Sequence, residues 1–166
     1  MFRSAASGEV AAWVVAVLLL VQVSDMSWQI LAVISALAAG ATSVLAKVGL
    51  EGIPSNLANA VRTAIVLVLS IGVVLFTGEH KAIATKLDGR TWLFLALSGL
   101  ATSVSWIAYF KALQLGSATP VTAIDKASLA VTWLLSVAFL GETLGWRAGV
   151  GVTMVCVGAF LMSGQK

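Results

Sequence analysis

The stretch that decides the fold is Gln29 to Leu50, which reads QILAVISALAAGATSVLAKVGL. Apart from Lys47 near its end, it contains no charged residue. An α-helix needs about 20 predominantly apolar residues to cross a hydrocarbon core about 30 Å thick. The stretch therefore predicts a transmembrane helix.

Other segments of similar length and apolar character follow it: Asn56 to Phe76, Trp92 to Leu113, Thr119 to Leu140 and Trp146 to Met162. The connections between them are short, so neighbouring helices are expected to run antiparallel. Tryptophans at segment ends suit the headgroup layer, where the amphipathic indole is favoured. The pattern predicts an all-α polytopic membrane protein with a five-helix domain.

The composition agrees with a chain embedded in lipid. Apolar residues make up 60% of it and charged residues 10%, and the mean hydropathy is +1.02, whereas soluble domains carry about 25% charged residues. The net charge of +3 comes from dispersed Lys and Arg residues, so no nucleic-acid partner is expected. The chain has one cysteine, one histidine and no phosphate-binding glycine motif, which argues against an enzyme, a metal site or a cofactor.

The first 25 residues form an extension whose nature the sequence leaves open. Its apolar run, Val10 to Val23, is shorter than the others and lies between Arg3 and Asp25. A signal peptide, a short extra helix that is tilted or thins the bilayer, and a true start at Met26 all remain possible interpretations. The domain assignment is thus residues 1–25 as the extension and 26–166 as the five-helix domain.

Polar side chains recur at helical spacing within several segments. The aligned residues are Ser35 and Thr42 in the first segment, Ser98, Thr102, Ser105 and Tyr109 in the third, and Thr122, Asp125, Ser128, Thr132 and Ser136 in the fourth. Those expected to line a substrate path are Ser98, Thr102, Ser105, Tyr109, Asp125, Ser128 and Thr132. They indicate a lined cavity. Alternatively, these hydroxyls bond to the backbone or between packed helices.

Intramembrane charge is the sharper signal, because an ionisable group at membrane depth is costly unless it is paired or hydrated. Arg62 and Asp125 both fall roughly 10 Å inside their helices on the same side, which predicts an ion pair. Lys126 adjoins Asp125, while Lys47 and Lys111 approach that side from helix ends. One interpretation is an electropositive vestibule for a substrate with an anionic group. The other is a structural pair with snorkelling lysines.

The last segment carries a pair of small residues on one stripe. Gly151 and Gly158 lie seven positions apart in an otherwise apolar helix. Small residues let helix backbones approach closely in membranes. The pair predicts a dimer contact, with packing inside the chain as the alternative.

Several motifs resemble a known family. Residues 40–50, GATSVLAKVGL, and 59–62, NAVR, resemble the first two helices of EamA domains in the drug/metabolite transporter superfamily. Residues 109–116, YFKALQLG, with Thr119-Pro120-Val121, and residues 139–142, FLGE, are similar to its later signatures. The resemblance covers the chain from Met26 to about Gly164 and implies the single-domain bacterial and archaeal branch.

The resemblance implies a half-transporter of the cell inner (cytoplasmic) membrane, a multi-pass protein that works by alternating access as a homodimer or paired half. The expected partners are the lipid bilayer and a small metabolite. Small multidrug resistance proteins also have a glycine pair at the dimer contact of their last helix, but their acidic residue in the first helix is missing here, so their proton-coupled mechanism is not expected. A non-transporting accessory or scaffold subunit, for example of a lipid-linked sugar flippase, is the alternative.

Overall fold

The computed structural model describes Ala12 and residues 14–17, 26–143 and 145–164. Within this part of the chain there are five helical spans long and apolar enough to cross a membrane. The helices of these spans are α1 (Trp28–Gly49), α2 (Ser55–Thr77), α3 (Gly89–Leu115), α4 (Ala118–Lys126), α5 (Ser128–Leu135) and α6 (Trp146–Ser163). Between α2 and α3 the chain forms a 3₁₀ helix, Glu79–Ala82, and a four-residue helix, Ile83–Lys86. Together with a π-helical turn at Ser136–Leu140, α4 and α5 make up the fourth span. The predicted all-α polytopic fold is confirmed, and each span lies within about three residues of its predicted segment.

Most of the N-terminal extension lies outside the described residues. Ala12 and residues 14–17 are helical. The three interpretations of the extension therefore stand as predictions, as does the assignment of residues 1–25 and 26–166 as separate parts.

The fourth span is interrupted, which the sequence did not predict. At Ala127 the backbone hydrogen bonds change from the α-helical i→i−4 pattern to the i→i−3 pattern. The Ala127 N–H donates to the Ile124 carbonyl at 3.0 Å, and the Ala130 N–H donates to the Ala127 carbonyl at 3.0 Å. Such 3₁₀-type hydrogen bonds tighten a helix locally and are uncommon in the middle of a long α-helix. The break follows Asp125 and Lys126 directly, so the charged pair lies at the end of α4.

The span ends in a second irregularity. The π-helical turn Ser136–Leu140 is followed by Gly141 at φ 66°, a left-handed conformation that glycine adopts without steric cost. The Glu142 N–H donates across this turn to the Ser136 carbonyl at 3.3 Å. Gly141 thus stops the span and satisfies one of its terminal carbonyls.

The chain divides into two compact units, and unit 1 comprises Met1–Ala39 and Arg62–Ala96. Its helical residues carry large apolar side chains on their exposed surfaces, such as Val68 and Leu75. Hydroxyls in α2 bond to their own helix, as Ser70 does to the Val66 carbonyl at 2.8 Å. Such a surface is suited to hydrocarbon, where polar groups must be satisfied internally.

Unit 2 comprises Gly40–Val61 and Leu97–Lys166. Its core is formed by Leu50, Phe110 and Leu113, all buried, with Tyr109 and Val121 packed against them. In this unit α4 and α5 pack on α6. The end of α1, the second half of α3 and the start of α4 are therefore held together by apolar contacts.

Candidate functional site

Three hydroxyl groups meet beside the core of unit 2. The Tyr109 hydroxyl of α3 donates to the Ser43 Oγ of α1 at 2.7 Å and shares a 3.0 Å hydrogen bond with the Thr122 Oγ1 of α4. Ser43 is buried, and Tyr109 and Thr122 are half-buried. We call these three residues the hydroxyl cluster. It links three helices at one point by polar contacts.

The cluster lies partway along each helix. Counting about 1.5 Å per residue, Ser43 and Tyr109 lie roughly 9 Å before the ends of α1 and α3, and Thr122 lies roughly 6 Å after the start of α4. Hydrogen bonds from Lys47 join the end of α1 to the end of α3, and α4 starts directly after α3, so these three helix ends lie on the same side. The hydroxyls therefore share a level inside the spans.

Lys47 lies one turn further along α1 and binds the end of α3. Its ammonium donates to the Leu113 carbonyl at 2.6 Å and to the Gly116 carbonyl at 2.8 Å. The last carbonyls of a helix have no partner within the helix and carry partial negative charge. Lys47 satisfies two backbone carbonyls there, one of them at the end of α3 and the other in the turn after it.

A groove opens next to the hydroxyl cluster, with a volume of about 320 Å³. It is lined by residues of α1, α4 and α6: Gly40, Ser43, Val44, Ala118, Thr119, Thr122, Ala123, Lys126 and Met162. Its polar lining consists of three hydroxyls and one ammonium group. The remaining lining is apolar, so the groove combines a few polar groups with a hydrophobic wall, as small-molecule sites do.

Lys126 supplies the charge of the groove. Its Nζ lies 3.2 Å from the Asp125 Oδ2, and the two side chains are 57% and 36% exposed. An ion pair with this exposure is weak and readily shared with another group. Arg62 lies on α2 in unit 1, and its predicted pairing with Asp125 stays a prediction.

The structure places some of the predicted path residues at the groove and others away from it. Tyr109 and Lys126 lie at the hydroxyl cluster and the groove, whereas Ser98, Ser105, Ser128 and Lys111 are exposed side chains away from the groove lining. The hydroxyls of Thr102 and Thr132 donate to the carbonyls of Ser98 and Ser128, four residues earlier in their own helices. Serine and threonine hydroxyls within helices commonly bond to a carbonyl of the preceding turn in this way.

Several lining residues were absent from the predicted path. Ser43 escaped notice because the neighbouring Thr42 fits the polar stripe of α1, while Ser43 lies about 100° further around the helix. Thr122 belonged to the predicted stripe of the fourth segment but not to the path residues. A tyrosine inside an apolar span needs a hydrogen-bond partner, and that requirement was the signal available.

Comparison with known proteins agrees with this architecture. The model of the EamA-like transporter family matches residues 26–164. The chain belongs to the EamA-like transporter family. This EamA-family chain is 44% identical over 139 residues to a Sinorhizobium sp protein named "Uncharacterized transporter in cobO 3'region", a match covering 84% of this chain and 98% of that protein. No solved structure matches it.

The predicted resemblance is therefore confirmed. An EamA-like protein with five candidate membrane spans is a multi-pass membrane transporter. The family also favours a protein that moves its substrate without changing it chemically, in agreement with the expectation that the chain is not an enzyme.

Proposed function

We propose that the chain is one half of a transporter in the inner (cytoplasmic) membrane. It pairs with a second copy and moves a small metabolite that carries an anionic group by alternating access. The groove of unit 2 is the place where the metabolite binds.

The observation that carries this proposal is an ammonium group beside three hydroxyls in a groove within the spans. Lys126 lies roughly 12 Å along the fourth span by helical rise, in a hydrocarbon core about 30 Å thick. An ionisable side chain at that depth is retained where it faces water or a ligand. A scaffold protein has no need of such a lining.

Pairing is supported by the surface of α6. A Cβ built at Gly151 or Gly158 would meet no atom of the described residues of unit 2 within 4 Å, apart from the backbone of α6 itself. The two glycines therefore leave a shallow surface that a second helix can approach closely. Secondary transporters commonly place their binding site between two repeats that move against each other, which a second copy would supply.

The proposal is tested by a thermal-shift screen of the purified protein against pools of metabolites, followed by uptake of each hit into proteoliposomes. A ligand that binds only the folded state must raise its stability. We expect anionic hits that are transported by the natural protein and that neither stabilise nor cross with Lys126→Met. The matched control is Ser98→Ala, which changes an exposed side chain outside the groove and should transport normally.

Transport that is unaffected by Lys126→Met would contradict the assignment of the groove. A folded protein that transports no hit from the screen would instead favour the accessory-subunit interpretation.

A further inference from the structure

We infer that the groove selects a small carboxylate bearing a hydroxyl group on the carbon next to the carboxyl, that is, a 2-hydroxy acid. This inference deepens the proposed transport function and rests on it. It follows from the direction of the hydrogen bonds in the hydroxyl cluster.

A phenol has one O–H to donate, and Tyr109 donates it to the Ser43 Oγ at 2.7 Å. In the 3.0 Å contact between Tyr109 and Thr122, Thr122 must therefore be the donor. The Thr122 hydroxyl therefore uses its only proton in the hydrogen bond to Tyr109, and it presents only lone pairs to the groove. A ligand group that meets Thr122 must be a hydrogen-bond donor.

Lys126 has the opposite hydrogen-bonding polarity to Thr122. An ammonium has three donors and no acceptor, and one of its protons points to Asp125. The others are available to a ligand, which must present an acceptor and preferably an anion there. Lys126 follows Thr122 by four residues, so the two side chains lie on the same face of α4 with their Cβ atoms about 5–6 Å apart.

Polarity, spacing and size together restrict the ligand that the groove can hold. With the Cβ atoms about 5–6 Å apart and a flexible Lys126 stem, hydrogen bonds of about 2.8 Å at each end favour a compact ligand whose donor and anion are close together, as on adjacent carbons. A groove of about 320 Å³ is at the small end of ligand sites, which span about 300–1,000 Å³. Val44, Ala123 and Met162 in its lining are suited to a short carbon chain.

The donor group of the ligand could be a hydroxyl or an ammonium, and the charge of the groove lining favours one of them. Among the described residues that line the groove, Lys126 is a cation and none is a carboxylate. The Asp125 carboxylate that pairs with Lys126 is not part of this lining, so a second positive charge on the ligand would meet the Lys126 ammonium and be repelled by it. The neutral hydroxyl is therefore the favoured donor.

The test measures the affinity of the purified full chain in lipid nanodiscs for four probes of similar size: lactate, pyruvate, propionate and alanine. Lactate has the donor, pyruvate replaces it with an acceptor, propionate lacks it, and alanine carries an ammonium. We expect lactate to bind roughly tenfold more tightly than pyruvate and propionate, as a hydrogen bond between a matched donor and acceptor provides. Lactate should also bind more tightly than alanine, because the Lys126 ammonium repels the ammonium of alanine.

Variants of Thr122 and Tyr109 test whether the hydroxyl cluster causes the preference for lactate. Thr122→Val should bring the lactate-to-propionate ratio close to one, whereas Thr122→Ser should retain it, and Thr132→Val on α5 serves as a control with natural ratios. Tyr109→Phe leaves the Thr122 hydroxyl in place but removes the group to which it donates. Thr122 can then donate its proton to the keto oxygen of pyruvate, so the affinity for pyruvate should approach that for lactate. Because each ratio is measured within one variant, a general loss of stability does not imitate these results.

The outcomes separate this inference from the proposed function. Equal affinities for lactate, pyruvate and propionate, or tighter binding of alanine, would overturn the choice of ligand, even where another metabolite from the screen is transported. An unchanged lactate-to-pyruvate ratio in Tyr109→Phe would overturn the polarity argument. Selective lactate binding without flux would support the ligand assignment while contradicting transport.

Discussion

At the scale of single residues, Asp88 shows how one side chain starts a helix. It precedes α3, and its Oδ1 accepts a hydrogen bond from the Thr91 backbone N–H at 2.8 Å. Hydrogen bonds from the Thr91 side chain and then from its backbone lower the pKa of Asp88 below its ordinary value of 3.8. Asp88 is thus an N-terminal cap outside the spans.

The lowered pKa of Asp88 gives a prediction about pH. Because the carboxylate is favoured in the folded state, its stabilising contribution is complete above pH 3.8, the value for the unfolded chain, and is lost as pH falls through the lower folded pKa. Asp88→Asn should therefore have a melting temperature that falls less between neutral and acidic pH. Glu51→Gln, which removes an exposed carboxylate from a turn, should follow the natural protein. Identical pH profiles for Asp88→Asn and the natural protein would contradict the prediction.

At the scale of helices, Lys47 ties the end of α3 to α1 through two backbone carbonyls. Lys47→Met keeps the apolar length of the side chain but removes both bonds. Hydrogen bonds that involve a charged group contribute about 1.5–3 kcal/mol, so a loss of that order in the free energy of unfolding is expected from denaturant titration in detergent. Lys111→Met, which changes an exposed lysine on α3 itself, should alter it by about 0.5 kcal/mol or less. Equal losses in the two variants would show that charge, rather than the two bonds, is responsible.

The helices also show what the sequence can predict. Hydropathy and length locate the five spans because lipid imposes a minimum apolar run on each. The break at Ala127 escaped prediction because neither glycine nor proline is present at residues 124–130; the change resides in the hydrogen-bond pattern of the backbone. For the site, the residue types of Tyr109 and Lys126 were sufficient to suggest a role, whereas Ser43 depends on the rotation of α1 against its neighbours, which helical spacing alone does not determine.

At the scale of the whole molecule, the proposed pairing through α6 predicts selective crosslinking. Met154 is 70% exposed and lies about 50° from the stripe of Gly151 and Gly158, whereas the adjacent Thr153 lies about 150° away, at 100° per residue. In a Cys156→Ser background, Met154→Cys should form disulfide-linked dimers in native membranes and Thr153→Cys should not. Equal crosslinking at both positions would indicate random collision, and none at Met154→Cys would contradict the contact.

The hydroxyl cluster has a practical consequence, because Tyr109 is the single tyrosine of the chain. A fluorinated tyrosine supplied during expression would enter the protein at that one position and give one fluorine resonance that needs no assignment. The resonance would originate on the ring whose hydroxyl joins α1, α3 and α4. Any event that pulls Thr122 or Ser43 away from the phenol alters the electron density of that ring and moves the signal. The chain therefore contains a built-in spectroscopic reporter at the meeting point of three helices.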